Sequence, residues 1–375
     1  MTSIREPNCV TIDLSALARN FRRLRGLVPP AVKMMPIVKS DAYGHGMLEV
    51  SKALEECGVD FLGVANFSDA IELRRAGVRA PVAALSGLRT RDEAAAAAAG
   101  AVAPVLNDLD TARILSEECT GAGLECEYFV KVDTGMGRLG IPCEEVVPFM
   151  EIAGMLPRIK FLGIMSHLST ADESDEDFAL LQIRRFEKAV ERLRSIGVRG
   201  PLNSLSNSAA LCRYRQADHG MVRTGIMLYG AKPAEGFRPP VDLEPVMSFR
   251  TEVVQVRDVR EDAPVSYGRT YYTGGPRRLA VLSAGYGEGI PRSMSNRGRV
   301  LLSGRRVPQV GTICMDLTIC DITGIENVKP GDEAVFIGSQ GDSAITADEM
   351  ARWSGCISYE ILCSIGQRNK RTYLR

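Results

Sequence analysis

Short apolar runs alternate with amphipathic stretches between residues 34 and 229. Each apolar run has the length of a buried strand, and most stretches between the runs repeat their apolar residues at helical spacing. Strands are predicted at residues 34–38, 61–65, 81–85, 102–106, 128–132, 160–165, 202–205 and 221–226. Helices are predicted between most of these strands, among them residues 68–76, 92–100 and 177–196.

This alternation predicts an α/β fold, a (β/α)8 TIM-type barrel, because eight strand–helix units in one domain can close on themselves. A doubly wound open sheet is the structural alternative. The dinucleotide-binding proteins of that class carry a Gly-x-Gly-x-x-Gly fingerprint after the first strand, and the sequence has no such fingerprint there.

The alternation stops near residues 233–240 (PAEGFRPP), where proline and glycine indicate a linker. Short β-rich runs follow, separated by glycine and proline, at residues 251–256, 279–282, 300–302, 310–313 and 333–337. They predict a mainly β C-terminal domain. We therefore expect a barrel domain over residues 1–238 and a β domain over residues 239–375.

Positive and negative charges balance along the chain. The 46 Lys and Arg residues face 46 Asp and Glu residues, so the formal net charge is zero. Such a balance lacks the excess positive charge that is typical of proteins that bind nucleic acid or an anionic membrane. No apolar run approaches the roughly 20 residues of a membrane span, and the N-terminus lacks a signal-peptide pattern. We expect a cytoplasmic protein with no nucleic-acid and no membrane partner.

The ten cysteines form no Cys-x-x-Cys pair, and none stands at zinc-finger spacing to one of the three histidines. Several lie in apolar stretches, Cys314 and Cys320 among them. Reduced structural thiols are therefore expected, and no metal site is predicted.

Lys39 is the first candidate for chemistry. It ends the apolar run of residues 34–38 and precedes a glycine-containing turn, SDAYGHG (residues 40–46). It therefore stands at the C-terminal tip of a barrel strand, where barrel enzymes place their active sites. A lysine held there by buried surroundings can form a Schiff base with a carbonyl cofactor. The alternative is a surface lysine that snorkels at a strand end.

The segment VKSDAYGHG (residues 38–46) resembles the cofactor-lysine signature of the alanine racemases, which use pyridoxal 5′-phosphate (PLP). Similar motifs follow in the same order: KVDTGMGRLG (131–140), SNSAA (206–210), VRTGI (222–226), VSYGRT (265–270) and ICMD (313–316). The resemblance covers nearly the whole chain. It implies a PLP-dependent isomerase that interconverts L- and D-alanine and supplies D-alanine for peptidoglycan.

A PLP enzyme must hold the cofactor's phosphate, and barrels commonly bind phosphate at the loops after strands 7 and 8. In this chain those loops contain Asn207, Ser208, Gly225 and Ile226, whose N–H groups and hydroxyl can ligate a dianion. An ordinary helix cap at Asn207 or Ser208 is the alternative. By resemblance, the cofactor-binding set is Lys39, Tyr43, Arg138, His167, Asn207, Ser208, Arg223, Gly225, Ile226 and Tyr359.

The resemblance implies that Arg223 donates to the pyridine nitrogen of the cofactor. An arginine is permanently charged and cannot accept a proton from that nitrogen. The ring is then a weaker electron sink than it is beside a carboxylate, which would suppress transamination.

Racemisation needs a proton removed from one face of the substrate Cα and returned to the other. Lys39 is predicted for one face, and the resemblance supplies Tyr267 for the other. Ionising an ordinary tyrosine at neutral pH costs roughly 4 kcal/mol, so a cationic or hydrogen-bonding neighbour has to offset that cost. The family pattern offers His167 and Arg138 for this task.

The resemblance also implies a homodimer with shared active sites, in which residues of the β domain reach the partner's barrel. The predicted alanine-binding set is Arg138, Tyr267, Tyr286, Met315 and Asp316. In similar racemases the lysine at the position of Lys131 is often carbamylated, which turns a cation into an anion that orients the arginine.

Three alternatives stay open. They are a non-catalytic PLP carrier on a similar barrel, a decarboxylase of the same architecture, and a racemase that prefers another amino acid such as serine. The β domain with Tyr267 argues against the first, and Arg223 with Tyr267 argues against the second. The chain departs from the family pattern at Thr224, Glu288 and Thr312. By resemblance, Tyr286 lines the entrance to the site, and Met315 and Asp316 border the substrate carboxylate. The departures at Glu288 and Thr312 lie near these residues, so a racemase that prefers another amino acid stays open.

Overall fold

The computed structural model describes residues 6–375, in which a closed parallel barrel is followed by a β-rich domain. The regular barrel strands are Lys33–Pro36, Leu62–Val64, Val82–Ala84, Ala103–Leu106, Cys126–Asp133, Ile159–Met165 and Met221–Thr224. Lys33–Pro36 pairs in parallel with Met221–Thr224, and this pairing of the first and last strands closes the barrel. The barrel predicted from the alternating pattern is confirmed.

Residues 202–206 occupy the seventh position of the barrel, between Ile159–Met165 and Met221–Thr224, without forming a regular strand. Main-chain hydrogen bonds link this segment to its neighbours, for example from Ser204 N to Ile164 O at 2.9 Å. The Asn203 side chain, in place of a main-chain carbonyl, accepts from Ile164 N at 2.9 Å. The predicted strand at 202–205 is therefore wrong as a regular element, because a side chain interrupts its ladder of main-chain bonds.

Right-handed helices cover the outside of the barrel. They are Leu14–Arg25, Met47–Glu56, Phe67–Arg75, Arg91–Ala98, Leu109–Ala122, Val146–Ala153, Asp177–Ser195 and Ser208–Arg213. The three helices singled out from the sequence are all present, with ends within two residues of those predicted. Arg91–Ala98 illustrates why they begin where they do. Thr90 and Glu93 form a capping box, in which each side chain bonds the other residue's main-chain N–H.

The C-terminal domain is mainly β. Its strands are Met247–Val259, Pro264–Val265, Tyr271–Tyr272, Arg277–Leu282, Arg299–Leu302, Arg305–Pro308, Thr318–Asp321, Glu333–Gln340, Ser343–Ile345 and Arg371–Leu374. Its helices are Ala347–Ser354 and Ser358–Arg368. In the barrel domain, a short strand, Ile141–Pro142, pairs in parallel with the end of the strand Cys126–Asp133. Single 3₁₀ turns lie at Cys143–Glu145, Arg215–Ala217, Ile226–Tyr229, Tyr267–Arg269, Tyr286–Glu288 and Arg292–Met294.

Four of the five predicted β-domain strands coincide with observed strands, and the one at residues 310–313 does not. Gly311 has a φ of +75°, which is incompatible with a regular strand. The neighbouring Val310 N still donates to Ile319 O at 2.9 Å. The predicted strand at 310–313 is therefore wrong, because these apolar residues lie in an irregular loop.

The first strand of the chain, Cys9–Asp13, lies in the sheet of the C-terminal domain. It pairs antiparallel with Met247–Val259 and parallel with Arg371–Leu374. The assignment of all residues from 1 to 238 to the barrel is corrected to this extent. The five residues Cys9–Asp13 alternate in burial, and such a short pattern does not predict the strands with which they pair. The boundary between residues 238 and 239 stays a prediction.

One hydrophobic core runs from the barrel into the C-terminal sheet. It contains, for example, Phe129 and Phe186 of the barrel together with Phe249 and Phe336 of the sheet. Within residues 6–375, no helix is both long and apolar enough to cross a membrane. The same residues contain no cluster of three or more His, Cys, Asp or Glu side chains arranged to hold a metal ion.

Candidate active site

A cavity of about 430 Å³ lies at the carboxyl ends of the barrel strands. Every residue of the predicted cofactor-binding set lines it, and so does Lys131. The residues predicted from the β domain for alanine binding, Tyr267, Tyr286, Met315 and Asp316, do not line it, whereas Tyr359 of the same domain does. The structure thus brings the barrel part of the predicted site together with Tyr359 within one chain and leaves these four residues elsewhere.

Lys39 enters the cavity from an unusual turn. The four residues after it, Ser40 to Tyr43, have φ values between 53° and 55°, which is a left-handed helical turn made of non-glycine residues. Left-handed helical conformation costs roughly 1–2 kcal/mol for each such residue. The cost has to be offset by contacts from the surrounding structure, and the sequence, which shows only a glycine-containing turn, does not reveal the handedness.

The C-terminal end of the chain supplies those contacts. Asp41 bonds Arg371 through one carboxylate oxygen and accepts from Met47 N at 2.7 Å through the other. Arg371 also donates to Gly44 O at 3.1 Å. A Cβ on Gly44 would stand 2.3 Å from Leu362 O, so the turn packs directly against the helix Ser358–Arg368. Residues more than 300 positions apart therefore fix the segment that presents Lys39.

The environment of Lys39 favours its uncharged amine. Burial lowers the pKa of Lys39 below its usual range, and the cationic Arg138 and Arg223 lower it further, against a smaller opposing effect of Cys363. A lysine with a lowered pKa is a better nucleophile and proton acceptor near neutral pH.

Arg223 is buried, with 5% of its surface exposed, and is held by its two terminal nitrogens. Nη1 donates to Ser204 O at 2.9 Å and to Ser204 Oγ at 2.6 Å. Nη2 donates to Ser166 O and, more weakly, to Leu205 O. Among residues 6–375 none accepts a hydrogen bond from Nε, so this N–H remains for a ligand. Burial lowers the pKa of Arg223 to about 10, which leaves it charged at neutral pH.

The position of Arg223 decides the tautomer of His167. Nδ1 of His167 lies 3.3 Å from Nη2 of Arg223. A guanidinium can only donate, so Nδ1 must accept and the ring proton is assigned to Nε2. Burial, then Arg223, then Lys131, lowers the pKa of His167 well below its usual value. His167 is therefore a neutral hydrogen-bond donor on the cavity wall and not a cation.

The loops after the last two barrel positions form a small cradle. Gly225 N donates to Ser208 Oγ at 2.8 Å, which leaves the proton of that hydroxyl free. Asn207 is a helix cap, because its Oδ1 accepts from Ala210 N at 3.0 Å at the start of the short helix Ser208–Arg213. Asn207 Nδ2 donates one N–H to Leu168 O at 3.3 Å. The Ser208 hydroxyl proton and the second N–H of the Asn207 amide therefore have no partner among the described residues.

Two tyrosines stand beside this cradle. The rings of Tyr43 and Tyr359 lie 5.8 Å apart, and Tyr43 also packs on Tyr229 at 5.0 Å. Burial raises the pKa of both Tyr43 and Tyr359, so both keep their hydroxyl protons. Neither hydroxyl donates to any residue that the structure describes. Together with Ser208 they offer three hydroxyl donors to an anion.

Lys131 and Arg138 complete a cluster of positive charge in the cavity. Burial, and after it Arg223 and Arg138, lower the pKa of Lys131 to about 7, against a smaller opposing effect of Asp133. Asp133 shapes the loop between them by accepting from Gly135 N at 2.8 Å. Lys131 therefore titrates near neutral pH, where the amine and the ammonium are both present.

The β-domain residues form a separate exposed group. Tyr267 is 71% exposed and Met315 is 56% exposed. Tyr286 is joined to this group because its N–H donates to Cys314 O at 3.0 Å. An exposed tyrosine and methionine beside polar groups are typical of residues that meet a binding partner.

The sequence reasoning missed several residues of the site. Ser169 and Asp172 line the cavity, and Ser204 with Ser166 holds Arg223. His45 stacks on Tyr229 at 4.5 Å behind Tyr43. The signal for Ser169 and Asp172 was their position just after a barrel strand, whereas the support of Arg223 and Tyr43 depends on packing between distant segments.

The donors fit the PLP molecule group by group: Lys39 for its aldehyde carbon, Arg223 Nε for its ring nitrogen, and the three hydroxyls for its phosphate. Fold and site thus define an amino-acid enzyme that carries PLP in a β/α barrel. The sequence profile of "Alanine racemase, N-terminal domain" matches residues 12–233, and that of the C-terminal domain matches residues 246–373. The chain belongs to the alanine racemase family of PLP-dependent isomerases.

Individual relatives agree over nearly the full chain. The alanine racemase of Syntrophobacter fumaroxidans is 41% identical over 97% of this chain and 96% of its own. The solved alanine racemase of Bacillus anthracis with bound L-Ala-P is 32% identical, with a TM-score of 0.90 over 100% of this chain and 96% of that one. The alanine racemase of Bartonella henselae, with covalently bound pyridoxal phosphate, is 29% identical, with a TM-score of 0.88 over 99% and 100%.

Proposed function

We propose that this protein interconverts L-alanine and D-alanine, with Lys39 and Tyr267 as the two acid–base groups. Bound PLP would supply electron withdrawal that makes the Cα–H of the substrate acidic. The protein then has to bind PLP, fix its orientation, and move a proton on each face of Cα. Lys39 Nζ is proposed as the attachment point for PLP and as the group that handles the proton on one face.

The observation that carries the proposal is the arrangement of Arg223. Its Nη groups are committed to main-chain and serine acceptors, and its Nε–H is left for a ring nitrogen. A donor that cannot accept a proton does not keep that nitrogen protonated, as a carboxylate would. Arg223 therefore limits electron withdrawal by the ring and favours return of the proton to Cα.

Besides Tyr43 and Tyr359, no tyrosine among residues 6–375 of the same chain lines the cavity of Lys39. The tyrosines that line its cavity, Tyr43 and Tyr359, are proposed for the phosphate. Tyr267 is exposed on the β domain of the same chain. We propose that a second copy of the chain brings Tyr267, together with Tyr286, Met315 and Asp316, to the cavity, so that the protein acts as a homodimer with shared sites.

His167 and Arg138 are proposed to support the phenol of Tyr267. Because His167 is neutral, it would act by donating from Nε2 and not by its charge. The charge that stabilises a phenolate would come from Arg138. Lys131, whose amine form is present from about neutral pH upward, is proposed to take up carbon dioxide and become an anion that orients Arg138.

A substrate panel tests the function directly. Purified protein with added PLP would be incubated with single enantiomers of alanine, serine and other small amino acids, and the products separated by chiral chromatography. The proposal expects racemic alanine as the fastest product. Faster racemisation of serine would change the substrate, and an amine product would indicate decarboxylation.

The cellular role is proposed on the family resemblance: a cytoplasmic enzyme that supplies D-alanine for peptidoglycan. Bacteria that lack their own alanine racemases depend on added D-alanine. Expression of this chain should let such cells grow without it, and the Lys39→Ala variant should not.

A further inference from the structure

The turn that carries Tyr267 is built on backbone conformations that side chains rarely adopt. Ser266 has φ 64° and ψ −171°, and Gly268 has φ 70°. The turn joins the short paired strands Pro264–Val265 and Tyr271–Tyr272. A non-glycine residue in such a region is strained and persists only where its surroundings hold it. The contacts beneath the turn therefore decide where the phenol of Tyr267 stands.

Thr312 makes those contacts through reciprocal hydrogen bonds. Its hydroxyl donates to the main-chain carbonyl of Tyr267 at 2.8 Å. The hydroxyl of Ser266 donates to the main-chain carbonyl of Thr312. Thr312 is buried, with 7% of its surface exposed. The exposed phenol of Tyr267 is therefore attached to a main chain that a buried residue holds in place.

A chain of hydroxyl and amide groups keeps Thr312 in this role. Its only hydroxyl proton goes to Tyr267, so Thr270, with Oγ1 at 3.2 Å from that of Thr312, must donate to it. Thr270 Oγ1 accepts from Asn296 Nδ2 at 3.0 Å. Asn296 Oδ1 accepts from Gly311 N at 2.6 Å, which fixes the orientation of its amide. Because Gly311 precedes Thr312, the chain of bonds closes on itself.

We propose that Thr312 is a positioning residue for Tyr267, whose main chain it holds so that the phenol reaches Cα of the substrate. The inference rests on the proposed function, in which Tyr267 is an acid–base group. Thr312 touches neither substrate nor cofactor in this scheme. Without its hydroxyl, Tyr267 O loses its hydrogen-bond donor and the Thr270 hydroxyl loses its acceptor, and the turn is free to relax.

The test compares three threonine variants. Thr312→Val removes the hydroxyl at nearly constant volume, and Thr312→Ser keeps it. Thr251→Val is the matched control, because Thr251 is buried in the same domain and its Oγ1 has no hydrogen-bond partner among the described residues. Exchange of the Cα proton with deuterated solvent is measured separately from L-alanine and from D-alanine.

The expected pattern is asymmetric. We assign the Cα proton of L-alanine to Tyr267 and that of D-alanine to Lys39. Thr312→Val then slows exchange from L-alanine by roughly tenfold or more, since small misplacements of a catalytic group are costly. Exchange from D-alanine, which is assigned to Lys39, changes much less. Thr312→Ser and Thr251→Val stay close to the wild-type protein. A general loss of stability would slow both directions together.

A second measurement needs no cofactor. 3-Fluorotyrosine is placed at position 267 and observed by ¹⁹F NMR in the PLP-free protein. One narrow resonance is expected for the wild-type, Thr312→Ser and Thr251→Val backgrounds. A broadened or divided resonance is expected for Thr312→Val, because its turn is no longer held in one conformation.

Unchanged exchange and an unchanged resonance in folded Thr312→Val would overturn the inference. Tyr267→Phe, measured in parallel, separates this from a failure of the proposed function. If Tyr267→Phe exchanges L-alanine normally, the acid–base assignment is wrong. If only Tyr267→Phe is slow, the positioning role alone is wrong.

Should Thr312→Val not fold, Thr270→Val interrupts the same chain of bonds, and normal exchange in that variant would likewise overturn the inference.

Discussion

The main chain of Gly225 passes directly beside the hydroxyl of Tyr43. A Cβ at Gly225 would stand 2.7 Å from Tyr43 Oη, closer than real Cβ contacts allow. Tyr43 has little room to move, since its ring packs on Tyr229 and faces Tyr359. The glycine therefore lets a barrel loop and the turn after Lys39 meet at one point, where the phosphate is proposed to bind.

Gly225→Ala should weaken PLP binding by roughly tenfold or more, equivalent to about 1.4 kcal/mol, because the new methyl group displaces the Tyr43 hydroxyl. Titration of the PLP-free protein, followed by absorbance, would measure it. Gly121→Ala is the matched control, because Gly121 has open space around its Cα on a surface helix. Equal affinity of the Gly225→Ala and control proteins would contradict the proposed phosphate site.

Lys39 should carry the cofactor, since it ends a barrel strand and its pKa is lowered by burial and two arginines. Borohydride reduction of the PLP-loaded protein, followed by peptide mapping, should find the pyridoxyl group on Lys39. Lys131→Ala should leave that label in place. A label on Lys131 or Lys33 would move the attachment site.

Replacement of Tyr267 by alanine should slow proton removal from L-alanine far more than from D-alanine, because Lys39 remains to serve the other face. Exchange of the Cα proton with deuterated solvent distinguishes the two enantiomers. Equal losses in both directions would count against two groups on opposite faces.

Mixing Lys39→Ala and Tyr267→Ala proteins should restore activity. Each variant alone has a defect in every site, whereas a mixed dimer of shared sites has one site with an intact Lys39 and an intact Tyr267. Up to about half of the wild-type activity per mixed dimer is expected by counting sites. Mass spectrometry would verify subunit exchange. Proven exchange without recovered activity would rule out sharing.

Lys131 should form a carbamate whose amount rises with pH through the neutral range. Its pKa is lowered to about 7, so the ammonium form, which cannot attack carbon dioxide, gives way to the amine above that pH. ¹³C NMR with labelled bicarbonate would show a carbamate signal that grows from about pH 6 to about pH 8.

Lys131→Ala should abolish that signal. Lys160→Ala should not, because Lys160 is exposed and Glu127 raises its pKa. A signal that persists without Lys131, or no signal across the range in the wild-type protein, would disprove the carbamate.

The sequence alone determined the class of fold and the barrel half of the candidate site. Lys39, His167 and Arg223 each lie at or near the C-terminal end of a predicted barrel strand, and parallel strands in a barrel all end on one face. Local periodicity therefore sufficed to bring these side chains together. The same logic failed for residues 202–205 and 310–313, where Asn203 and Gly311 interrupt the regular pattern.

Only the tertiary structure decided how the site residues are held and which of them one chain can bring together. The left-handed turn after Lys39 depends on Arg371, and the tautomer of His167 depends on its contact with Arg223. Tyr267 lies outside the cavity of its own chain, although its motif stands in the expected order. These outcomes rest on contacts between segments far apart in sequence, whose free energies local residue patterns do not encode.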